Sequence, residues 1–298
     1  MLTYGNHFVG KRNNYLLKYY NKYNPLNLPP NTVRVRTNDG NAPVKMFLTT
    51  YQTATLVDGT SDVYDVYKSG TSFENLLHGS TNVIEVLGGN TSDITNMDSM
   101  FCAEDELISV ALFDTSKVTN MTRMFQSCKK LPTVPLFDTS KVTNMHGMFE
   151  LCELITSIPL FDTSKVTEMA YMFNHCFALT TVPLFDTSNV TDMEAMFHFC
   201  ESFITSPLFD TSKVTNMSTM FGYCYSIASI PLFDTSKVTD MSYMFEDCSK
   251  VETGALALYN QASSQANPPT NHTQTFYKCG IDTVNGAAEL AQIPSDWK

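Results

Sequence analysis

A motif of 16 residues recurs six times between Phe113 and Cys248 at a period of 24 residues without a slip, and it limits the chain to repeat architectures. Each copy reads Phe-Asp-Thr-Ser-(Lys/Asn)-Val-Thr-x-Met-x-x-Met-Phe-x-x-Cys. A unit this short cannot bury an apolar face of its own, so neighbouring copies must stack and share one core. The copies begin at Phe113, Phe137, Phe161, Phe185, Phe209 and Phe233, and they end at Cys128, Cys152, Cys176, Cys200, Cys224 and Cys248.

Weaker copies extend the repeat in both directions. Residues 89–112 keep the register, and residues 65–88 keep only the apolar positions, as expected of a terminal copy with a different outer neighbour. After Val251 the pattern breaks, and Phe276 to Cys279 then repeat the Met-Phe-x-x-Cys step. We predict a head or attachment segment at 1–64 and a repeat region at 65–298. The repeat region divides into a capping copy at 65–88, seven copies at 89–256 and a C-terminal cap at 257–298, which includes a short helix at Ala287 to Gln292.

The first 64 residues differ in composition from the copies. The stretch from Thr32 to Thr37 alternates apolar and polar residues, which is typical of a half-buried strand. A turn signal follows, and Val44 to Leu48 could form the return strand. We therefore predict a small β-rich head or an attachment arm. Its first part is rich in tyrosine and basic residues, namely Tyr15, Tyr19, Tyr20, Tyr23, Lys11, Arg12, Lys18 and Lys22.

Within a copy, apolar residues follow one another at steps of three and four, which is typical of one helical face. Thr119 and Asn120 are suitable N-cap residues for such a helix, and the residues after Cys128 predict a short parallel strand that a recurring proline keeps short. Asp114 is expected to accept backbone N–H groups two or three residues later. The predicted fold class is an α/β repeat solenoid with a 24-residue period, short parallel strands plus short helices, and a small β-rich N-terminal head. The first full copy buries Val118, Met121, Met124, Phe125, Cys128 and Leu131 in this prediction.

These motifs resemble a known family. Phe-x-x-Cys-x-x-Leu-x-x-Ile with a nearby proline resembles BspA-like leucine-rich repeats. The Phe-Asp-Thr-Ser-x-Val-Thr-x-Met form resembles a variant found in bacterial surface proteins and in some phage-encoded proteins. The resemblance covers residues 89–256 strongly and implies a leucine-rich-repeat-like solenoid that serves adhesion or recognition without catalysis. It supplies no ligand and does not explain the first 64 residues.

Charge is distributed unevenly along the chain, whose net charge is −11. Residues 1–88 carry eight basic and six acidic side chains, a net +2, whereas residues 89–256 carry nine basic and 21 acidic side chains, a net −12. An acidic repeat region would repel phosphates along its length, so we expect no nucleic-acid partner. The simpler interpretation of this charge is a soluble surface.

The sequence also predicts where the protein resides. No apolar signal segment follows Met1, and no run reaches the roughly 18 apolar residues that a membrane span needs. Exported members of the family carry a leader, whereas a protein built into a phage particle needs none. We expect a virion surface or other extracellular location without membrane insertion, with the tyrosine-rich head docking on the virion.

The repeated cysteines are expected to be reduced thiols in the core. Stacked neighbours would lie about 4.7–5 Å apart, within disulfide range, but their side chains would point in parallel rather than toward each other. A free cysteine packs as a small buried apolar residue. Cys102 and Cys279 fall outside the main ladder, and their redox state is left open.

Other chemical interpretations are weaker. A row of aspartates could bind calcium, but capping of backbone N–H groups explains them without a metal. His175, Cys176, His198 and Cys200 offer zinc ligand types, yet adjacent residues in one copy should face different ways. Known hydrolase, metalloprotease and phosphate-loop motifs are absent from the sequence. We predict no catalytic residue, no metal and no cofactor. The aspartates are Asp114, Asp138, Asp162, Asp186, Asp210 and Asp234.

Positions that the core does not dictate carry aromatic residues in the third to fifth copies. Clusters of aromatic side chains on a surface are typical anchors for protein partners, and sugars also stack on them. The alternatives are mutual packing of the rings and coverage of the junction with the head. The candidate ligand-binding residues are Tyr171, His175, Phe177, Phe199, Tyr223 and Tyr225.

The leading hypothesis is a non-enzymatic recognition protein, displayed most readily on a phage particle, that binds a host surface protein or glycan through these aromatic residues. A second hypothesis is a structural virion spacer that packs against other virion subunits. A third is an exported bacterial adhesin. The sequence leaves the oligomeric state and the ligand open.

Overall fold

The computed structural model describes residues 27–298, and the tyrosine-rich segment from Tyr15 to Tyr23 lies outside that range. The described chain begins with a five-stranded sheet in the order β2-β3-β1-β4-β5. In it, β1 pairs antiparallel with β3 and β4, β2 pairs antiparallel with β3, and β4 pairs parallel with β5. The strands are β1 (Thr32–Thr37), β2 (Thr53–Leu56), β3 (Val63–Tyr67), β4 (Val83–Asn90) and β5 (Ser109–Val110).

Strand β1 confirms the strand predicted from the alternating pattern. Val33 and Val35 are fully buried, whereas Arg34 donates to Asp65 of β3 at 2.6 Å. Because β3 and β4 flank β1, the head and the capping copy share this sheet. The division predicted at residue 64 stays a prediction, and β3 spans it.

The second strand predicted for the head is wrong. Val44 to Leu48 form a loop, and the strand that returns alongside β1 is β3. The reason is local bonding: the N–H of Val44 donates to the side-chain oxygen of Asn82 at 2.9 Å. The hydroxyl of Tyr51 closes the same loop by donating to the carbonyl of Pro43 at 2.6 Å.

From Ser72 onward, single parallel bridges join neighbouring copies. Each bridge from Ser72 to Asp240 connects residues 24 positions apart, and the last one reaches Asn271 across the insertion. These bridges come before the methionine pair, so the strand predicted after the repeated cysteine is missing from most copies. Within the described chain, parallel pairing in the predicted region is confined to β5, which pairs with β4, and to the bridge between Ser229 and Thr253. The bridged residues are Ser72, Asn96, Asn120, Asn144, Glu168, Asp192, Asn216, Asp240 and Asn271.

The helices predicted within the copies are also wrong, because tight turns occupy these positions. Arg123 and Ser127 have φ angles of 50° and 60°, a left-handed conformation that interrupts any helix. Backbone N–H groups instead alternate between two partners, a carbonyl in the next copy and the carbonyl three residues back. The first kind is made by Met121, Arg123, Phe125 and Ser127, and the second by Met124, Gln126 and Cys128.

Apolar side chains from all copies meet in one continuous core. Its centre is a column of buried phenylalanines, one from each copy. The ring of Phe197 lies 5.5 Å from Phe173 and 5.4 Å from Phe221, and Phe203 packs on it at 4.7 Å. Near-parallel rings at these separations attract each other beyond simple area burial. The column therefore ties each copy to both of its neighbours.

The repeated cysteines form the predicted ladder of buried thiols. All eight cysteines of the chain are free and buried, including Cys102 and Cys279. Each repeated thiol also donates a hydrogen bond that the sequence did not suggest; Cys200, for example, donates to the carbonyl of Phe173 at 3.1 Å. Burial raises the pKa of Cys102 to about 11, so its thiol stays protonated at neutral pH.

Each Asp-Thr-Ser turn binds its own backbone and the next copy. Asp114 accepts the N–H of Ser116 at 2.9 Å, which confirms the predicted turn. Thr115 is buried, and its hydroxyl donates to the carbonyl of Asp138 in the next copy at 2.9 Å. The aspartate thus shapes the turn while the threonine joins two copies. The same turn bond is made by Asp138, Asp162, Asp186, Asp210 and Asp234.

One carboxyl group is buried where the capping copy meets the next copy. Glu104 is fully buried, and its Oε1 accepts the N–H of Ser80 at 2.6 Å. Its Oε2 and the Ser80 hydroxyl have no hydrogen-bond partner among the described residues. Burial raises the pKa of Glu104 well above its usual range, so the folded protein favours the protonated acid.

The C-terminal cap closes the core with α1 (Ala255–Ser263), α2 (Val284–Gln292) and a 3-10 helix (Ser295–Trp297). The predicted closing helix is confirmed as α2 and begins earlier because the Thr283 side chain caps it, accepting the N–H of Gly286. Helix α1 was not predicted. The Trp297 ring is buried and stacks on His272 at 4.2 Å. Between residues 27 and 298, no helix combines the length and apolarity needed to cross a membrane.

Candidate recognition surface

The residue before each repeated cysteine has the same left-handed backbone in successive copies. The φ angles of His175, Phe199 and Tyr223 are 60°, 58° and 62°. Each of their N–H groups donates to a carbonyl of the next copy, at 2.8, 2.9 and 2.7 Å respectively. The Cα–Cβ directions of the three residues are therefore parallel, and their side chains are held in line.

These three side chains form a stacked aromatic row. The rings of His175 and Phe199 are 4.6 Å apart with planes inclined by 25°, and those of Phe199 and Tyr223 are 4.5 Å apart and inclined by 6°. Phe177 stands across one end, 5.8 Å from His175, and Tyr225 across the other, 6.2 Å from Tyr223. We refer to these five residues as the aromatic surface. The structure thus brings five of the six candidate residues together.

Stacking determines what the aromatic surface can present. The faces of the central rings cover one another, and centroid separations near 4.5 Å leave no room for a sugar between them. Ring edges and the two crossing rings are what a ligand would meet. Tyr225 is 37% exposed, and the other four residues are half-buried. Such pre-positioned aromatic groups bind at a low entropic cost, because little freedom remains to be lost.

Tyr171, the sixth candidate, belongs to a different set of contacts. Its ring lies 5.5 Å from His146, and its hydroxyl donates to Glu194. Burial and the Glu194 carboxylate raise the pKa of Tyr171, so the phenol stays protonated. It therefore does not extend the stacked row.

Two residues that support the row were not among the candidate ligand-binding residues, although His198 was considered as a zinc ligand. The His198 ring packs edge-on against Phe199 at 4.4 Å, and the Asn174 side-chain oxygen lies 2.7 Å from Nδ1 of His175 and 3.3 Å from Nδ1 of His198. Asn174 thereby joins the two imidazoles. Burial, assisted by the nearby His175, lowers the pKa of His198 to about 4. His198 is thus neutral at physiological pH.

Gly222 makes room for His198. A Cβ atom at Gly222 would lie 2.9 Å from Cδ2 of that ring, closer than such atoms approach in proteins. We expect Gly222→Ala to push the imidazole toward solvent and to raise the pKa of His198 from about 4 toward the ordinary value of about 6.5. Titration of the histidine ring resonances by NMR measures this shift, and an unchanged pKa of His198 would show that the glycine is not needed.

Carboxylates border the aromatic surface. Glu150 accepts hydrogen bonds from Gln126 at 2.6 Å and from Asn174 at 3.0 Å, and both donors are neutral amides. Burial lowers the pKa of His175, and Glu153 and Glu201 each lie near enough to oppose that change. In the described part of the chain none of these three carboxylates forms an ion pair. The border of the surface is therefore negative.

The possible zinc ligands in this region do not converge. Cys176 and Cys200 are fully buried and donate to core carbonyls, whereas His175 and His198 lie on the outer side. Across residues 27–298, no group of three or more His, Cys, Asp or Glu side chains is arranged to hold a metal ion. What the surface offers is apolar contact and negative charge.

Copies joined through their backbones, with an ordered surface of variable residues, define a repeat protein. The chain belongs to the family described as "Mycoplasma protein of unknown function, DUF285", which matches residues 71–181, 132–226 and 177–279. Among solved structures it is similar to a leucine-rich repeat protein from Eubacterium ventriosum ATCC 27560, with 16% identity and a TM-score of 0.44. That similarity covers 66% of this chain and only 58% of the Eubacterium protein. No curated protein matches the chain.

Proposed function

We propose that this chain is a non-enzymatic recognition protein that binds a protein on a host surface through the aromatic surface. The observation that supports this most is the stacking of His175, Phe199 and Tyr223 into one ordered row. Clustered, pre-positioned aromatic residues supply most of the binding energy in many protein interfaces. A host glycan is the alternative ligand, and it would have to use Phe177 and Tyr225, because the central ring faces are covered.

The architecture that we propose for this display is a solenoid with the 24-residue period. Parallel bridges between residues 24 positions apart support it. Because successive copies repeat one backbone, residues at equivalent positions form straight rows along the surface. A row can contact an extended partner, and its composition can change without altering the core.

Removing two rings of the row tests the proposed function. We expect Phe199→Ala/Tyr223→Ala to weaken binding to host cells or to an isolated host protein by roughly 30-fold or more, as loss of interface hot spots does. The matched control is Leu184→Ala/Leu208→Ala, which removes two side chains that are each 61% exposed in neighbouring copies. Binding by purified wild type and both variants, with folding checked by circular dichroism, gives the comparison. Equal binding by all three proteins would overturn the proposal.

Where the protein is displayed is a separate proposal. A phage particle is the setting expected from the sequence, and a bacterial cell surface is the alternative. The family description names Mycoplasma, which supports the bacterial alternative. Antibody labelling of intact cells and of purified phage particles distinguishes them, and label confined to the cytoplasm would contradict both.

A further inference from the structure

We infer that the aromatic surface binds a segment of its partner that carries lysine or arginine side chains. This inference rests on the proposed function and narrows it to one chemical class of ligand. It follows from the charges around the rings and from the order of residues in the row next to them.

The row that follows the repeated cysteines alternates acidic and aromatic residues. Glu153, Phe177, Glu201 and Tyr225 occupy the same position in four successive copies. Bridged copies lie about 4.8 Å apart, so each of these rings has a carboxylate as its neighbour in the row. Glu201 lies between the two rings and is near enough to influence the charge of both His175 and Tyr225. A cation placed over this row would meet a ring and a carboxylate together.

The chain's own basic side chains do not neutralise this border. Lys129 lies at one end of the row and pairs with Asp105 at 3.3 Å. Lys278 lies in the neighbouring row, directly before Cys279, and pairs with Asp247 at 3.3 Å. The described ion pairs involve none of the carboxylates Glu150, Glu153 and Glu201.

Repulsion among these carboxylates is therefore left for a ligand to relieve. Burial and the nearby Glu246 raise the pKa of Tyr223, so its hydroxyl stays neutral. His198 adds no positive charge, since burial lowers its pKa to about 4. An acidic partner would be repelled, and a neutral sugar would leave the border uncompensated.

Lysine and arginine side chains fit both the aromatic rings and the carboxylates of this surface. Their charged groups are attracted to aromatic rings and to carboxylates, and their aliphatic stems cover apolar area. Opposite charge across an interface also speeds association and excludes wrongly charged partners. The partner segment is therefore cationic, and it is held by apolar contact with the rings and by charge at the border.

The test uses full-length protein and two fluorescent peptides. One peptide is a short Arg/Gly/Ser sequence, and the other has glutamine in place of every arginine. We expect the arginine peptide to bind about tenfold more tightly or better, and its affinity to fall as salt is added. Equal binding of the two peptides would overturn the inference, as would binding of a neutral glycan without any salt dependence.

Variants that remove negative charge test whether the peptide binds at the aromatic surface. We expect Glu153→Gln/Glu201→Gln to weaken binding of the arginine peptide about tenfold. Asp58→Asn/Glu74→Gln removes the same charge from exposed positions in the head and the capping copy and is expected to have little effect. Equal loss in the two double variants would mean that only the overall charge matters, and the inference would fail.

The outcomes separate this inference from the proposed function. If Phe199→Ala/Tyr223→Ala abolishes binding to the host while Glu153→Gln/Glu201→Gln binds the host normally, recognition stands and the cationic ligand is wrong. If the aromatic variant binds the host as wild type does, the proposed function itself fails.

Discussion

Phe197→Ala is expected to lower the free energy of unfolding by about 3–5 kcal/mol. The ring of Phe197 is fully buried and lies against Phe173, Phe203 and Phe221 at 5.5, 4.7 and 5.4 Å. Alanine would remove the contacts with all three rings and leave a cavity that the stacked backbones cannot collapse to fill. Denaturant unfolding followed by circular dichroism measures the change.

Phe199 is the matched control, because it lies two residues later in the same copy and is only half-buried. We expect Phe199→Ala to cost clearly less stability than Phe197→Ala while weakening ligand binding. The two phenylalanines thus separate the core from the surface. Equal loss of stability in the two variants would show that the aromatic row is itself part of the core.

Glu104→Gln is expected to stabilise the protein at neutral pH and to remove a pH dependence. The carboxyl is fully buried, and burial raises its pKa well above the usual range. Between the unfolded pKa of about 4.3 and the raised folded value, the folded state holds a proton that the unfolded state has lost. Stability therefore falls by about 1.4 kcal/mol per pH unit as the pH rises through that window. Glutamine is neutral throughout and keeps an oxygen for the Ser80 N–H.

Denaturant unfolding across a pH series tests this prediction. The difference in stability between Glu104→Gln and wild type should be small at pH values below the unfolded pKa and should grow as the pH rises. Glu106→Gln is the control, because Glu106 is an exposed partner of Lys130 and such pairs contribute little. Parallel pH curves for wild type and Glu104→Gln would contradict the argument.

The sequence predicted which residues of a copy point inward, but not how the backbone places them there. Met121, Met124 and Phe125 are buried as expected, because the apolar pattern sets what must leave water. A helix and a chain of tight turns share the same three- and four-residue spacing. What distinguishes them here is the left-handed backbone at Arg123 and Ser127, and neither residue type signals that conformation.

The sequence predicted the residues of the aromatic surface better than it predicted the residues that hold them in place. The aromatic residues were visible because the repeats provide their own alignment, and the variable positions stand out from the constant ones. His198 and Gly222 were missed because their roles depend on which ring fits against which backbone in the next copy. Aligning the residue that follows the phenylalanine of each Phe-x-x-Cys step would have shown a polar row containing Asn174 and His198, although not the space at Gly222.

The bond pattern between copies also has a consequence for how such a gene can change. Every bridge from Ser72 to Asp240 spans one copy, so the bonds on either side of a copy are the same from one copy to the next. An in-frame exchange between two copies would add or delete a full period, and the carbonyls and N–H groups on either side would again find partners. The number of copies can therefore change by whole repeats. The position of the aromatic surface along the molecule can change with it while the fold is kept.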